Sequence, residues 1–182
     1  MTFEKIVTLK DGRTCLLRNG VASDGQAVLD VFNWTHDETD YLLTYSDENC
    51  FTASQEADFL QRKTDSTNTV EIIAVVDGVV AGTAGIDALG MRDKIKHRAV
   101  FGIAITKEFW GLGIGKSLME ACIECAREAG YLQLELEVVA ENERAVEMYK
   151  RAGFIEYGRN PKAFRLRTGE YQELIDMRLE LK

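Results

Sequence analysis

Residues 101–115 read FGIAITKEFWGLGIG and continue directly into 116–130, KSLMEACIECAREAG. An apolar strand, a glycine-rich turn and an amphipathic helix follow one another in that order. Successive backbone N–H groups in such a turn, aimed by a helix N-terminus, make a site for a phosphate or pyrophosphate. The glycine intervals discriminate between kinds of phosphate site. A P-loop for nucleoside triphosphates needs four residues between its first Gly and Gly-Lys-Ser. Gly115-Lys116-Ser117 is present, but the required first position is Trp110, and Gly111 leaves only three residues between. The dinucleotide fingerprint needs Gly-x-Gly-x-x-Gly. Gly111, Gly113 and Gly115 are spaced two and two, and Lys116 stands where the third Gly belongs. Both readings fail on spacing.

Working outward, Arg98–Thr106 reads as the strand, Gly113–Ala129 as the helix, and Leu132, Leu134, Leu136 and Val138 as alternating positions of the next strand. Leu118, Cys122, Cys125, Ala126 and Ala129 form the helix's inner face. A strand–helix–strand unit of this length predicts two parallel neighbours. Val70–Val76 and Val79–Ile86 flank Asp77-Gly78, a strong two-residue hairpin signal. Asn142–Ala152 reads as a helix closed by Gly153, and Phe154–Arg167 with Tyr171–Leu181 as a closing antiparallel pair around Thr168-Gly169. Towards the start, Thr14–Arg18 is a strand and Ser23–Thr35 a helix capped by Ser23 or Asp24. His36–Phe51 is irregular, and Thr52-Ala-Ser-Gln55 is a capping box opening a helix to about Lys63. The predicted order is β, α, α, three strands, α, β, α and two final strands. That is an α+β fold: a mixed, mostly antiparallel sheet with one parallel pair and helices on both faces.

The 182 residues carry no repeat, no low-complexity tract and one proline, and read as a single domain over 1–182. No apolar run approaches the ~20 residues of a membrane span, and the first residues, MTFEKIVTLKDGR, lack an apolar signal-peptide centre. Cys15, Cys50, Cys122 and Cys125 have no framework spacing and are expected to be reduced, in a cytoplasmic protein. A net charge of −8 excludes general nucleic-acid affinity; it suits solubility first and a cationic substrate second. Cys122-x-x-Cys125 lies inside a helix without a second ligand pair, so packing is expected there and no metal site. His36 and His97 are expected to be structural or solvated.

Trp110-Gly-Leu-Gly-Ile-Gly115 resembles the Gln/Arg-x-x-Gly-x-Gly/Ala turn of the GCN5-related N-acetyltransferase (GNAT) family, with Trp in place of Gln or Arg. Downstream, Leu134-x-Leu136-x-Val138, then Asn142, Ala145, Tyr149 and Gly153-Phe154, resemble the family's other hallmark. Asn142 and Tyr149 are seven residues apart, close to two helical turns, and so share a helix face. Gly169-x-Tyr171 and Met177-x-Leu179-x-Leu181 are similar to the terminal strand of many members.

The resemblance implies a GNAT fold and an N-acetyltransferase that moves an acetyl group directly from acetyl-CoA to a primary amine. It implies that the strand splays from its neighbour at a bulge, where Ile103, Ala104 and Ile105 pair with pantetheine and a free N–H polarises the thioester carbonyl. Gly111, Leu112, Gly113, Ile114, Gly115 and Lys116 would take the pyrophosphate, Asn142 would bond the cofactor's amide-bearing arm, and Tyr149 would protonate the CoA thiolate. Read without the resemblance, Tyr149 is a half-buried helix aromatic, Asn142 an N-cap and Lys116 a solvated charge. Glu137 is a candidate general base or a sheet-face charge, and ordered water can serve instead.

In this fold the segment between the first two helices, residues 34–51, walls the substrate cleft; its acids and aromatics, Glu38 and Tyr41 among them, suit an ammonium ligand or are an ordinary acidic loop. The acceptor is a small-molecule or peptide amine, and a homodimer is the default assembly. The competing readings are a non-catalytic CoA-binding or regulatory module, and an interaction protein that binds no ligand.

Overall fold

The computed structural model describes residues 1–181. Eight strands form one sheet in the order β1-β2-β3-β4-β5-β6-β8-β7. They are β1 (Glu4–Thr8), β2 (Thr14–Asn19), β3 (Val70–Val76), β4 (Val79–Ala88), β5 (Arg98–Ile105), β6 (Gln133–Val139), β7 (Ile155–Arg165) and β8 (Tyr171–Glu180). The helices are α1 (Gly25–Glu38), α2 (Ala53–Asp65), α3 (Ile114–Glu128) and α4 (Glu143–Ala152). Only β5 and β6 run parallel, joined through α3; every other neighbouring pair is antiparallel. The expected mixed fold is therefore the observed one.

Alternation along the strands divides the core. Ile72, Ala74, Ala84, Ile86, Phe101, Leu134 and Leu136 face α3 and α4, whose Leu118, Cys122, Ala126, Val146 and Tyr149 complete the larger cluster. Ile73 and Val80 face the other way, against Val28 and Val31 of α1 and Leu60 of α2. Buried side chains such as Leu17, Ile72, Leu118 and Met177 each contribute roughly 1.5–3 kcal/mol over exposure.

Local signals were legible. Asp77 and Gly78 both take positive φ, +50° and +82°, as a type I′ hairpin requires. The α2 capping box is present: Gln55 N–H donates to Thr52 Oγ1 at 3.3 Å and Thr52 N–H to Gln55 Oε1 at 2.8 Å. Gly153 closes α4 at φ +99°.

Three expectations need correcting. Strand β1 was unforeseen, because it is a short edge strand of Lys, Glu and a few apolar residues, mostly exposed. Helix α1 runs through His36 and Asp37 to Glu38, where an irregular segment was expected; His36 stacks on Phe32 at 3.8 Å and its Nδ1 meets the Phe32 carbonyl at 2.6 Å. Asp24 occupies the N-cap position of α1 without capping it, because its carboxylate takes the Arg18 guanidinium (2.7 and 2.8 Å) and Val21 N–H (2.9 Å).

Candidate active site

The site begins where the parallel pair parts. β5 and β6 are in register only from Arg98↔Gln133 to Val100↔Glu135, yet β5 continues to Ile105 and β6 to Val139. The base of this gap is held by a forked ion pair, Arg98 to Glu135, with one N–O distance of 2.7 Å. Beyond it the strands diverge and leave an open edge on β5.

The direction of that edge follows from the ladder. Thr106 N–H donates to Ala81 O at 3.1 Å, and Arg98 O accepts from Leu89 N–H at 3.0 Å, so even-numbered residues of β5 direct their backbone groups at β4. On the other side, His97 O accepts from Leu132 N–H at 2.9 Å. Because direction alternates along an antiparallel ladder, Ile103 and Ile105 present N–H and C=O to the gap. Ala104 does not, since its backbone belongs to the β4 ladder opposite Thr83. The expected bulge in β5 is also absent: its register with β4 runs unbroken from Gly82↔Ile105 to Ala88↔Ala99, and the irregularity lies one ladder away, between β3 and β4. The gap arises because β6 leaves, without any kink in β5.

Past Ile105 the chain makes a short 3-10 turn, Lys107–Phe109, then the glycine turn. Gly111 and Gly113 have φ of +82° and +100°, and beyond the adjoining residues nothing lies within 4 Å of where a Cβ would stand on either. Gly113 is the N-cap of α3 and brings no side-chain cap. The N–H groups at the start of α3 are thus left for an outside acceptor, in a position where two glycines keep the space clear; this fits a pyrophosphate. Gly115 has a different reason: a Cβ there would come within 3.3 Å of Ile105 Cδ1 and Met148 Sδ, so it lets α3 close on β5 and α4. Ile114 is buried and anchors the helix start, Leu112 O accepts from Lys10 N–H at 3.1 Å, and Lys116 turns to solvent, 3.6 Å from Glu120.

α4 forms the other arm of the gap. Asn142 caps it, with Oδ1 accepting from Ala145 N–H at 3.3 Å, which leaves the amide NH2 for other partners. The Tyr149 ring is buried between Phe101 of β5 (6.2 Å, edge-on) and Phe154 (5.8 Å). Burial raises its hydroxyl pKa well above the ordinary phenol, so the group stays protonated across the neutral range. Trp110 and Arg144 reach towards each other across the mouth of the gap. Trp110 Nε1–H donates to Ile105 O at 2.7 Å, and the Arg144 guanidinium lies 4.6 Å over the indole. Arg144 was missed in the sequence, although a cation in the first turn of a helix, against the dipole, is itself a signal.

The residues proposed for the acceptor scatter more. Glu38 Oε2 accepts from Lys107 N–H at 2.7 Å, so this carboxylate braces the entry to the glycine turn. Tyr41 is half-buried in the α1–α2 connection. Glu137 is exposed on the sheet face away from α3 and α4, directly across the ladder from Asp176. The α1–α2 connection is docked on the β7–β8 hairpin: Arg167 covers the Tyr45 ring at 4.0 Å, its N–H donates to Tyr45 Oη at 3.0 Å, and its guanidinium reaches Asp47 at 2.6 Å. Two shallow hollows of about 390 and 320 Å³ lie around His97 at the opposite end of β5; the smaller reaches the Arg98–Glu135 pair at the base of the gap, and neither includes Ile103, Ile105, the glycine turn or α4. Among the described residues no cluster of three or more His, Cys, Asp or Glu could hold a metal, and no helix is long and apolar enough to cross a membrane.

A parted parallel pair, an open strand edge and an uncapped glycine turn fit an acyltransferase that takes coenzyme A. Comparison with known proteins agrees, for the sequence model of the acetyltransferase (GNAT) family matches residues 28–154, and the chain belongs to that family of acetyl-CoA-dependent enzymes. It is 33% identical over 118 residues to the L-amino acid N-acetyltransferase AaaT of Escherichia coli K12, covering 64% of this chain and 72% of that protein. A GNAT-family acetyltransferase from Streptococcus pneumoniae superposes with a TM-score of 0.87 at 27% identity, over 91% of this chain and 99% of that one. The protein yncA of Salmonella typhimurium, solved with its cofactor acetyl-CoA, shares the fold at a TM-score of 0.81 and 17% identity, over 91% and 93% of the two chains.

Proposed function

We propose that this protein acetylates the primary amine of a small amino-acid-like substrate, by direct transfer with both reactants bound at once. The observation that carries the reading is the gap between β5 and β6, with the Ile103 backbone and the Ile105 N–H open along one arm and Tyr149 packed against the same strand. Acetyl-CoA supplies an activated thioester, whose carbonyl carbon bonds to the amine nitrogen as its C–S bond breaks. The backbone of Ile103 and Ile105 orients the pantetheine arm as an added strand would be oriented, and an N–H of this edge polarises the carbonyl. The Gly111–Lys116 turn holds the pyrophosphate, through backbone N–H groups and not the Lys116 ammonium. Asn142 donates its amide NH2 to the pantetheine arm while its oxygen caps α4. Tyr149 gives its hydroxyl proton to the departing thiolate and regains one from solvent. Holding both reactants in line supplies much of the acceleration.

The amine must arrive unprotonated, because an alkyl ammonium has a pKa of about 10 and no lone pair to give. Glu137, on the open face beside the gap, takes this proton directly or through water. An amino-acid acceptor is supported by the AaaT relative, whose name states that substrate class.

Acetyl-CoA at millimolar concentration is expected to raise the melting temperature, by linkage to the folded state. A panel of amino acids, polyamines, aminoglycosides and peptide N-termini, read by release of free thiol, then identifies the acceptor. Thermal stabilisation without thiol release from any amine would favour the non-catalytic CoA-binding module; no stabilisation at all would overturn the coenzyme site.

A further inference from the structure

Arg144 sits where its helix does not favour it. It lies in the first turn of α4, where the macrodipole opposes a cation, while the nearby Glu147 is engaged by Lys150 and Arg151 at 3.9 and 4.0 Å. Its guanidinium instead covers the Trp110 ring at 4.6 Å. Trp110 is itself fixed, with its indole N–H on Ile105 O at 2.7 Å and the Lys107 ammonium 5.8 Å from its ring. The pair therefore ties the end of β5 to the start of α4, across the mouth of the gap and immediately before Gly111. Lys116, the cation the sequence puts in the glycine turn, is 72% exposed and faces Glu120. An arriving pyrophosphate thus meets an organised guanidinium on the opposite arm, held over Trp110.

We propose that Trp110 and Arg144 work as one unit in cofactor binding: Trp110 positions the guanidinium, and Arg144 pairs with the pyrophosphate held on the Gly111–Lys116 turn. Trp110 keeps what Gln and Arg have in common, a long side chain ending in an N–H donor, and adds a flat face on which a guanidinium can lie. The departure from the family pattern at residue 110 is then compensated at residue 144. This inference rests on the gap being the coenzyme A site.

The test is isothermal titration of the ligand-free protein with CoA and with pantetheine, which lacks the phosphates. Arg144→Gln is expected to weaken CoA about tenfold, as loss of a charge-assisted contact does, to leave pantetheine unchanged and to flatten the salt dependence of CoA binding. Arg144→Lys keeps the charge and loses the planar fork, and recovers only part of the affinity. Trp110→Ala is expected to match Arg144→Gln, and the double variant to lose no more than either alone. Where Trp110→Ala does not fold, Trp110→Phe replaces it in the cycle, with a smaller loss that is likewise not additive. CoA affinity unchanged in Arg144→Gln, an equal loss for pantetheine, or additive losses in the cycle would each overturn the proposal. Failure of the unmodified protein to bind CoA would instead overturn the coenzyme site itself.

Discussion

Tyr149 packs the core, and the proposed mechanism gives the same residue a chemical task. Its ring fills the core between Phe101 and Phe154, so substitution by a small residue would leave a cavity and confuse the two roles. Phe keeps the ring and removes only the hydroxyl. Tyr149→Phe is expected to lower kcat about a hundredfold or more, the usual contribution of a positioned acid, with CoA affinity within about twofold of the original. Steady-state kinetics beside a CoA titration check both; unchanged kcat would remove Tyr149 from the proton path. Because burial pushes this hydroxyl upward, the tyrosine does not titrate near neutrality, and any inflection of rate between pH 6 and 9 belongs to the amine or its base. Asn142 commits its oxygen to α4, and the proposed site gives its NH2 a second duty.

Among the elements, α2 carries a buried cation that no motif announces. Lys63 Nζ lies 2.7 Å from Asp87 and 3.2 Å from Glu71, tying α2 to β3 and β4. Burial alone would lower the Lys63 pKa, but the Glu71 and Asp87 carboxylates outweigh it and hold the ammonium charged. Burial raises the pKa of Glu71, so this carboxylate depends on Lys63 for its charge. Lys63→Met is expected to destabilise the fold by about 3–5 kcal/mol, since it strands Glu71 in the interior. Urea denaturation reads the loss, and Lys63→Met with Glu71→Gln should recover part of it. From the sequence, Lys63 was simply the end of a polar helix. The cap at Thr52, the turn at Asp77-Gly78 and the Asn142-to-Tyr149 spacing were legible because each is decided within a few residues. The Lys63 cluster, the facing of Ala104 towards β4 and the Trp110–Arg144 contact depend on which strands are neighbours and where one of them departs, and local periodicity carries neither.

At the scale of the whole molecule the four cysteines divide three to one. Cys15, Cys122 and Cys125 are buried, and burial raises all three thiols, Cys15 to about 11 and Cys125 to about 12; Cys50 is exposed in the α1–α2 connection. A thiol raised so far presents almost no thiolate near neutrality. Ellman's reagent at pH 8 is therefore expected to find one fast thiol in the native protein and four in denaturant. A second fast thiol would place one of the inner three outside the core. The buried Cys122-x-x-Cys125 pair packs in the α3 core, as its helical position had suggested.

The short β5–β6 ladder also has a mechanical meaning. A sheet parted along half of one seam resembles a plank with a started crack, and load across it concentrates at the crack tip. Here the tip is Val100 beside Glu135, and the Arg98–Glu135 fork sits there like a clamp. A molecule seated along Ile103 and Ile105, and gripped by the α4 arm, acts as a rivet across the open length. At the proposed site the coenzyme would be a structural member as well as a reactant, and the two halves of the sheet would be joined most rigidly in the loaded enzyme.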